Sequence, residues 1–142
     1  MRVGSAFPSQ EDNVATRQRI TADKAPKPIG PYSVGMATEC MIFTSGMAGV
    51  DPATGKLVPG GIEAETRQTL MNLAAILEAG KSSLRSAVKT TVYLRDMADF
   101  AKMNAVYAEV FPDPPPARTT IQAAALPLGA AVEIEMIATR EE

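Results

Sequence analysis

Arg118 follows a proline run, in Pro114-Pro115-Pro116-Ala117-Arg118, and opens an alternating stretch; a second alternating stretch carries Val132-Glu133-Ile134-Glu135. The two read as paired strands, which would bring one fixed cation near one or two carboxylates. In a strand, Arg118 shares a face with Thr120 and Gln122, and Glu133 shares one with Glu135. A stiffly held guanidinium suits bidentate capture of a carboxylate, although a surface ion pair is the commoner use of such an arginine. A glutamate that reaches a pocket can orient a water or take its proton, although a solvated strand face is the commoner setting. Spacing alone does not say which glutamate would do so.

The remaining inventory narrows the chemistry. There is no His, and Cys40 is the lone cysteine. Ser-His-Asp and Cys-His arrangements are therefore excluded, and a zinc site lacks its usual ligands. The acids are scattered without EF-hand spacing, so no metal site is expected. Hydroxyls and backbone groups are left. Gly30-Pro31-Tyr32-Ser33 and Thr44-Ser45-Gly46 are small, turn-like and hydroxyl-bearing. Gly46 permits close backbone approach, so its N–H could bind an oxygen. Asn104 and Tyr107 stand at i and i+3 on a helix, with Tyr107 read as core and Asn104 as a solvated residue or a ligand contact.

The elements that would position these groups can be read along the chain. Residues 1–18 are polar and mixed and read as a flexible tail, leaving residues 19–142 as one domain. Arg2, Arg17 and Arg19 give the tail some character of a mitochondrial presequence, while Glu11 and Asp12 count against one. A stiff stretch over residues 26–31 precedes a hairpin of residues 33–37 and 41–45. Asp51-Pro52-Ala53-Thr54-Gly55 is a turn. A helix is predicted over residues 63–79, with Glu63 and Glu65 at its N-terminal dipole, a stripe of Leu70, Leu73, Ala74 and Leu77, and Gly80 as its stop. A strand over 88–94 and a helix over 99–110 follow, the helix carrying Phe100, Met103, Val106, Tyr107 and Val110 on one face. Strands over 118–125 and 131–138 complete the order β-β-α-β-α-β-β, with a further strand near 17–21. That order predicts an α+β fold, one mixed β-sheet with two helices on one face. The uncovered, half-apolar face predicts self-association.

Composition agrees with a globular protein: 142 residues, 46% apolar and 21% charged, with a net charge of −2 that gives no broad basic face for nucleic acid. No apolar run approaches the roughly 18 residues that span a bilayer. The expected compartment is the cytoplasm, with the mitochondrion as the alternative.

Several separated blocks occur together. They are Ile29-Gly30-Pro31-Tyr32-Ser33, Phe43-Thr44-Ser45-Gly46, Asp51-Pro52 with Gly55, Thr66-Arg67-Gln68, Val88-Lys89-Thr90-Thr91-Val92, Asp99-Phe100, Asn104 with Tyr107, Pro116-Ala117-Arg118 and Val132-Glu133-Ile134-Glu135. In this order, across residues 24–138, they resemble the reactive-intermediate deaminase (Rid, YjgF) family. The resemblance implies a chorismate-mutase-like fold and a homotrimer with a central barrel and sites at subunit interfaces. It implies hydrolysis of 2-imino acids such as 2-iminobutanoate and 2-iminopropanoate to 2-oxo acids and ammonia, without a cofactor. By position it makes Arg118 the clamp for the substrate carboxylate and Glu133, rather than Glu135, the residue that handles water. Tyr32, Ser45, Gly46, Phe100, Asn104 and Thr120 would shape the pocket, Tyr32 close to the chemistry.

Three positions depart from the family's pattern. Val34 and Met47 stand where Gln is usual, and Thr120 where Cys is frequent, which would alter pocket polarity and the preferred imine side chain. Two further roles go with the resemblance: a non-catalytic regulatory module that binds 2-oxo acids, and an RNA-directed ribonuclease or translation inhibitor. The retained carboxylate clamp with a water-handling acid favours the deaminase.

Overall fold

The computed structural model describes residues 16–141; of the tail expected over residues 1–18, residues 1–15 lie outside the described residues, and Gln18 already begins the first strand. Among the described residues, nine strands and two long helices form the order expected from the sequence, with short additions. They are β1 (Gln18–Ile20), β2 (Gly35–Ala37), β3 (Met41–Thr44), β4 (Met47–Ala48), β5 (Val50–Asp51), β6 (Lys56–Leu57), α1 (Gly61–Ala79), β7 (Ala87–Leu94), α2 (Phe100–Val110), β8 (Ala117–Gln122) and β9 (Val132–Thr139). The main sheet runs β1-β2-β3-β9-β7-β8, and β4 pairs with β9 beyond the end of β3. Only the β7–β8 pair is parallel, so the sheet is mixed. β5 and β6 form a separate small hairpin around the turn at residues 51–55.

The strands bearing the two singled-out charges are not paired with one another. β7 lies between β8 and β9, antiparallel to β9 and parallel to β8. A parallel neighbour needs a crossover, and α2 supplies it, so two stretches close in sequence end up one strand apart.

β9 alternates strictly. Val132, Ile134, Met136 and Ala138 are buried, while Glu133, Glu135 and Ile137 face the other side. The buried set meets α1, whose Leu70, Leu73, Ile76 and Leu77 are shut off from solvent. Each such side chain gains about 1.5–3 kcal/mol from transfer out of water. α2 lies over the β7–β8 end of the same face: Tyr107 and Thr90 share a 2.7 Å hydrogen bond between their hydroxyls. Both helices therefore cover one face, and Met36, Phe43 and Ile137, aligned across β2, β3 and β9, sit on the uncovered one.

Two buried polar residues of α1 fix the sheet near the site. Asn72 donates from Nδ2 to the carbonyls of Ala48 (3.1 Å) and Val50 (2.9 Å), holding β4 and β5 against the helix. Glu65, read from sequence as a dipole residue, is instead buried, and its Oε1 accepts from the Ala131 N–H at 2.9 Å, one residue before β9. That bond satisfies a buried backbone donor no strand partner reaches. Glu65→Ala is expected to cost about 1–3 kcal/mol of unfolding free energy in urea titration, the penalty of an unsatisfied buried group, while Glu65→Gln, which keeps an acceptor oxygen, should lose less.

Candidate functional site

β3 leaves β9 at Thr44, and the chain bulges through Ser45 and Gly46 before β4 rejoins β9 at Met47 opposite Ile134. Thr44 Oγ1 compensates by accepting from the Met136 N–H at 3.0 Å. Ser45 ties the bulge to the preceding loop: its hydroxyl donates to the Ser33 carbonyl at 2.6 Å and its N–H to the Val34 carbonyl at 2.8 Å. The bulge opens a cavity of about 850 Å³ whose lining includes Tyr32, Ser45, Gly46, Glu133 and Glu135.

Gly46 is required here by space. A Cβ at this position would lie 2.9 Å from Glu133 Cδ and 3.0 Å from its Oε1. The missing side chain is what lets the Glu133 carboxyl fold against the bulge. Burial raises the Glu133 pKa above the usual carboxylate value, and the nearby Glu135 charge adds to the shift. Glu135 lines the same cavity but is held: Tyr93 donates its phenolic proton to Glu135 Oε1 at 2.6 Å. Tyr93 is the direct cross-strand partner of Glu133 and reaches diagonally to Glu135. Tyr32 lies at the cavity's edge, its hydroxyl accepting from the Ile29 N–H at 3.2 Å, so its own proton is left for a ligand.

Arg118 is elsewhere. It is the register partner of Thr90, which in turn pairs with Met136, and so it points to the helix-covered face. Its Cζ lies 4.7 Å from the Tyr107 ring centroid and 5.6 Å from that of Phe100. These stacked contacts hold the guanidinium plane through cation–π attraction, and its N–H donors meet no acceptor among the described residues. Among the described residues the ion pair found is Arg67–Glu109, so Arg118 is not the surface ion-pair arginine its type allowed. Asn104 is on the same side, its Oδ1 buried without a hydrogen-bond partner among the described residues. Phe100 and Thr120 complete this group.

The residues singled out from the sequence therefore fall into two groups on opposite faces of one sheet. Tyr32, Ser45, Gly46 and Glu133 come together; Arg118, Phe100, Asn104 and Thr120 come together elsewhere. One copy of the chain does not join them. Two of the departures also change meaning. Val34 and Met47 are each 5% exposed and belong to the hydrophobic core; Val34 is not among the residues lining the cavity, whereas Met47 is. Met47 pairs with Ile134, packs in the core and also lines the cavity. Sequence reading missed the Tyr93–Glu135 pair; the only signal was an aromatic on β7 opposite the acidic face of β9. It also missed Tyr107 as a support for Arg118.

A mixed sheet with two helices on one face, an acidic cavity on the other and a stacked arginine at the β8 edge define a chorismate-mutase-like α+β protein. The endoribonuclease L-PSP family profile matches residues 22–140. The chain belongs to this family, the Rid/YjgF proteins. The mouse 2-iminobutanoate/2-iminopropanoate deaminase is 47% identical over 124 residues, covering 87% of this chain and 92% of the mouse protein. Among solved structures, RidA from the Antarctic bacterium Psychrobacter sp. has a TM-score of 0.83 at 42% identity, covering 86% of this chain and 98% of that one. Escherichia coli TdcF with bound serine has a TM-score of 0.80 at 36% identity, covering 87% and 99%. No described helix is long and apolar enough to cross a membrane.

The raised Glu133 pKa has a stability consequence. The folded state holds its proton more tightly than the unfolded chain does, so stability falls as pH rises from the ordinary glutamate range through the raised value. Above that range the ionised carboxylate keeps its full penalty. Glu133→Gln should therefore raise Tm at neutral pH, and the gain should shrink as pH falls below the ordinary carboxylate pKa. Differential scanning calorimetry across pH 4–8 reads both, and an unchanged Tm at neutral pH would contradict the buried placement.

Proposed function

We propose that this protein is a hydrolytic deaminase of 2-imino acids, releasing 2-oxo acids and ammonia from substrates such as 2-iminobutanoate and 2-iminopropanoate. It works as a homotrimer in which the Glu133 cavity of one copy meets the Arg118 edge of the next. One observation carries the reading: an aromatic-stacked guanidinium with no ion-pair partner among the described residues and a half-buried carboxylate lie on opposite faces of the same sheet. Each is half of a site, and a second copy supplies the other half. The name of the mouse relative supports the reaction. The serine bound by the Escherichia coli relative has the same α-carboxylate and α-nitrogen as a 2-imino acid, which supports the ligand class.

The chemistry asks little of the protein, because an imine carbon is already electrophilic. Arg118 pairs with the substrate carboxylate and fixes C2. The imine reacts protonated on nitrogen. Glu133 accepts a proton from a water as its oxygen bonds to C2, and the C=N electron pair moves to the protonated nitrogen, leaving a neutral amine. Glu133 then returns its proton to that nitrogen, the C–N bond breaks to release ammonia, and the hydroxyl proton passes to Glu133 as C=O forms; the ammonia carries this proton away and leaves Glu133 ionised again. Water and imine go in; 2-oxo acid and ammonia come out. Positioning and proton handling suffice. The raised Glu133 pKa suits a group that must both take and return a proton. On the other side, Asn104 Oδ1, left unpaired, is an acceptor for the imine N–H, and Phe100 and Thr120 close the pocket.

Generating 2-iminobutanoate with a threonine dehydratase and following its loss tests the reaction. The protein should accelerate the loss. Arg118→Ala should lower kcat/KM about 10–150-fold, the value of about 1.5–3 kcal/mol in charge-assisted bonds. Glu133→Gln should lower kcat by about 10²–10⁴-fold. Wild type without acceleration would leave a module that binds 2-oxo acids. RNA cleavage that survives Arg118→Ala would point to a different site.

The shared site has its own test. Arg118→Ala and Glu133→Gln copies, each nearly inactive alone, are unfolded, mixed in equal amounts and refolded. In a ring of three, each mixed ring regains one complete site, so about a quarter of wild-type activity should return. No recovery would place both residues in a site built by one copy.

A further inference from the structure

Leu128 stands in the connection between β8 and β9, five residues before Glu133. Its backbone is left-handed, φ 62° and ψ 9°, and Gly129 follows at φ 68°. A left-handed backbone is free for glycine and strained for leucine. The loop is not loose at this point. Arg95 Nη1 donates to the Gly129 carbonyl at 2.6 Å and the Arg95 N–H to the Ala131 carbonyl at 3.0 Å, while Gly129 and Ala130 N–H groups close turns onto Leu126 and Pro127. The core does not explain the side chain either, because Leu128 is 59% exposed. What it does line is the cavity of Glu133.

Two of the most exposed large apolar side chains of the molecule, Ile29 at 76% and Leu128, line this one cavity, along with Tyr32. Its charged members are Asp23, Lys27, Glu133 and Glu135, three acids against one base. Such a cavity attracts an apolar substituent and repels an anionic one.

We propose that Leu128 is a specificity-determining residue: its side chain, presented by the pinned left-handed turn, is the wall against which the substrate's own side chain packs. The proposal rests on the deaminase reading and goes beyond it by assigning the choice of substrate to this position. A longer aliphatic imine gains contact with Leu128; an imine with a second carboxylate meets an apolar wall in an acidic cavity.

The test compares imines made in situ by amino-acid oxidases from alanine, leucine and glutamate, with wild type, Leu128→Gly and Leu128→Lys. Leu128→Gly, which suits the backbone, should lower kcat/KM for the leucine-derived imine roughly tenfold and change the alanine-derived one little, as expected for lost methylene contacts. Leu128→Lys should raise kcat/KM for the glutamate-derived imine roughly tenfold, a new ion pair replacing the wall. Ratios among the three substrates that stay at the wild-type values in both variants would overturn the proposal. So would a change of assembly size in light scattering, because Leu128 would then serve contact between copies. Calorimetric binding of 2-oxopropanoate and 4-methyl-2-oxopentanoate keeps the result separate from turnover. If wild type turns over no imine but prefers the longer oxo acid, and Leu128→Gly loses that preference, the wall stands and the deaminase reading falls. Equal binding of the two oxo acids by wild type overturns the wall.

Discussion

β9 has to satisfy two environments at once, and its pleat does so residue by residue. Val132, Ile134, Met136 and Ala138 close the core beneath α1, while Glu133 and Glu135 between them stand on the face no helix covers. β9 is also the strand that β3, β4 and β7 all pair with. A slip of one residue would drive two carboxylates under the helices and expose the core set. Glu65 guards against this from α1 by holding the Ala131 N–H just before the strand begins. The carboxylate placed in the cavity is thus a by-product of the same register that builds the core.

The two charges are supported by different physics. Arg118 is steadied by ring faces: Tyr107, itself fixed by Thr90, and Phe100. A π-face orients a guanidinium without using its donors. Glu133 is steadied by space: Gly46 withdraws its side chain and the carboxyl settles into the gap. Its neighbour Glu135 is occupied by Tyr93, so of two adjacent acids one is committed and the other available. Strand spacing alone does not separate the two acids in this way.

Much of the fold was legible because local rules were obeyed. The stripe of α1, the β-branched run of β7, the proline stop after α2 and the alternation of β9 each carried their own signal. What was hidden depended on pairing between distant segments. Alternation placed Arg118 and Glu133 on strand faces, but not on which side of the sheet, because that depends on β7 lying between them. Glu65 carried the signature of a dipole residue, and only the approach of Ala131, 66 positions away, turned it into a buried acceptor. Met47 lines the cavity, but its pairing with Ile134 also makes it part of the core, which its spacing did not show. β4 and β5, two residues each, were too short to leave a period.

If the two charges on opposite faces are halves of one shared site, their placement bears on when such a protein is active. On the proposed reading, a lone chain carries an anion clamp and a water-handling acid that never meet, so newly made, unassembled copies are chemically silent. Abundance then becomes an input: as copies accumulate, sites appear through association, with a steeper dependence on concentration than the amount of protein itself. A damaged chain would likewise spoil two adjoining sites of its ring at most, each through a different face, leaving the third intact.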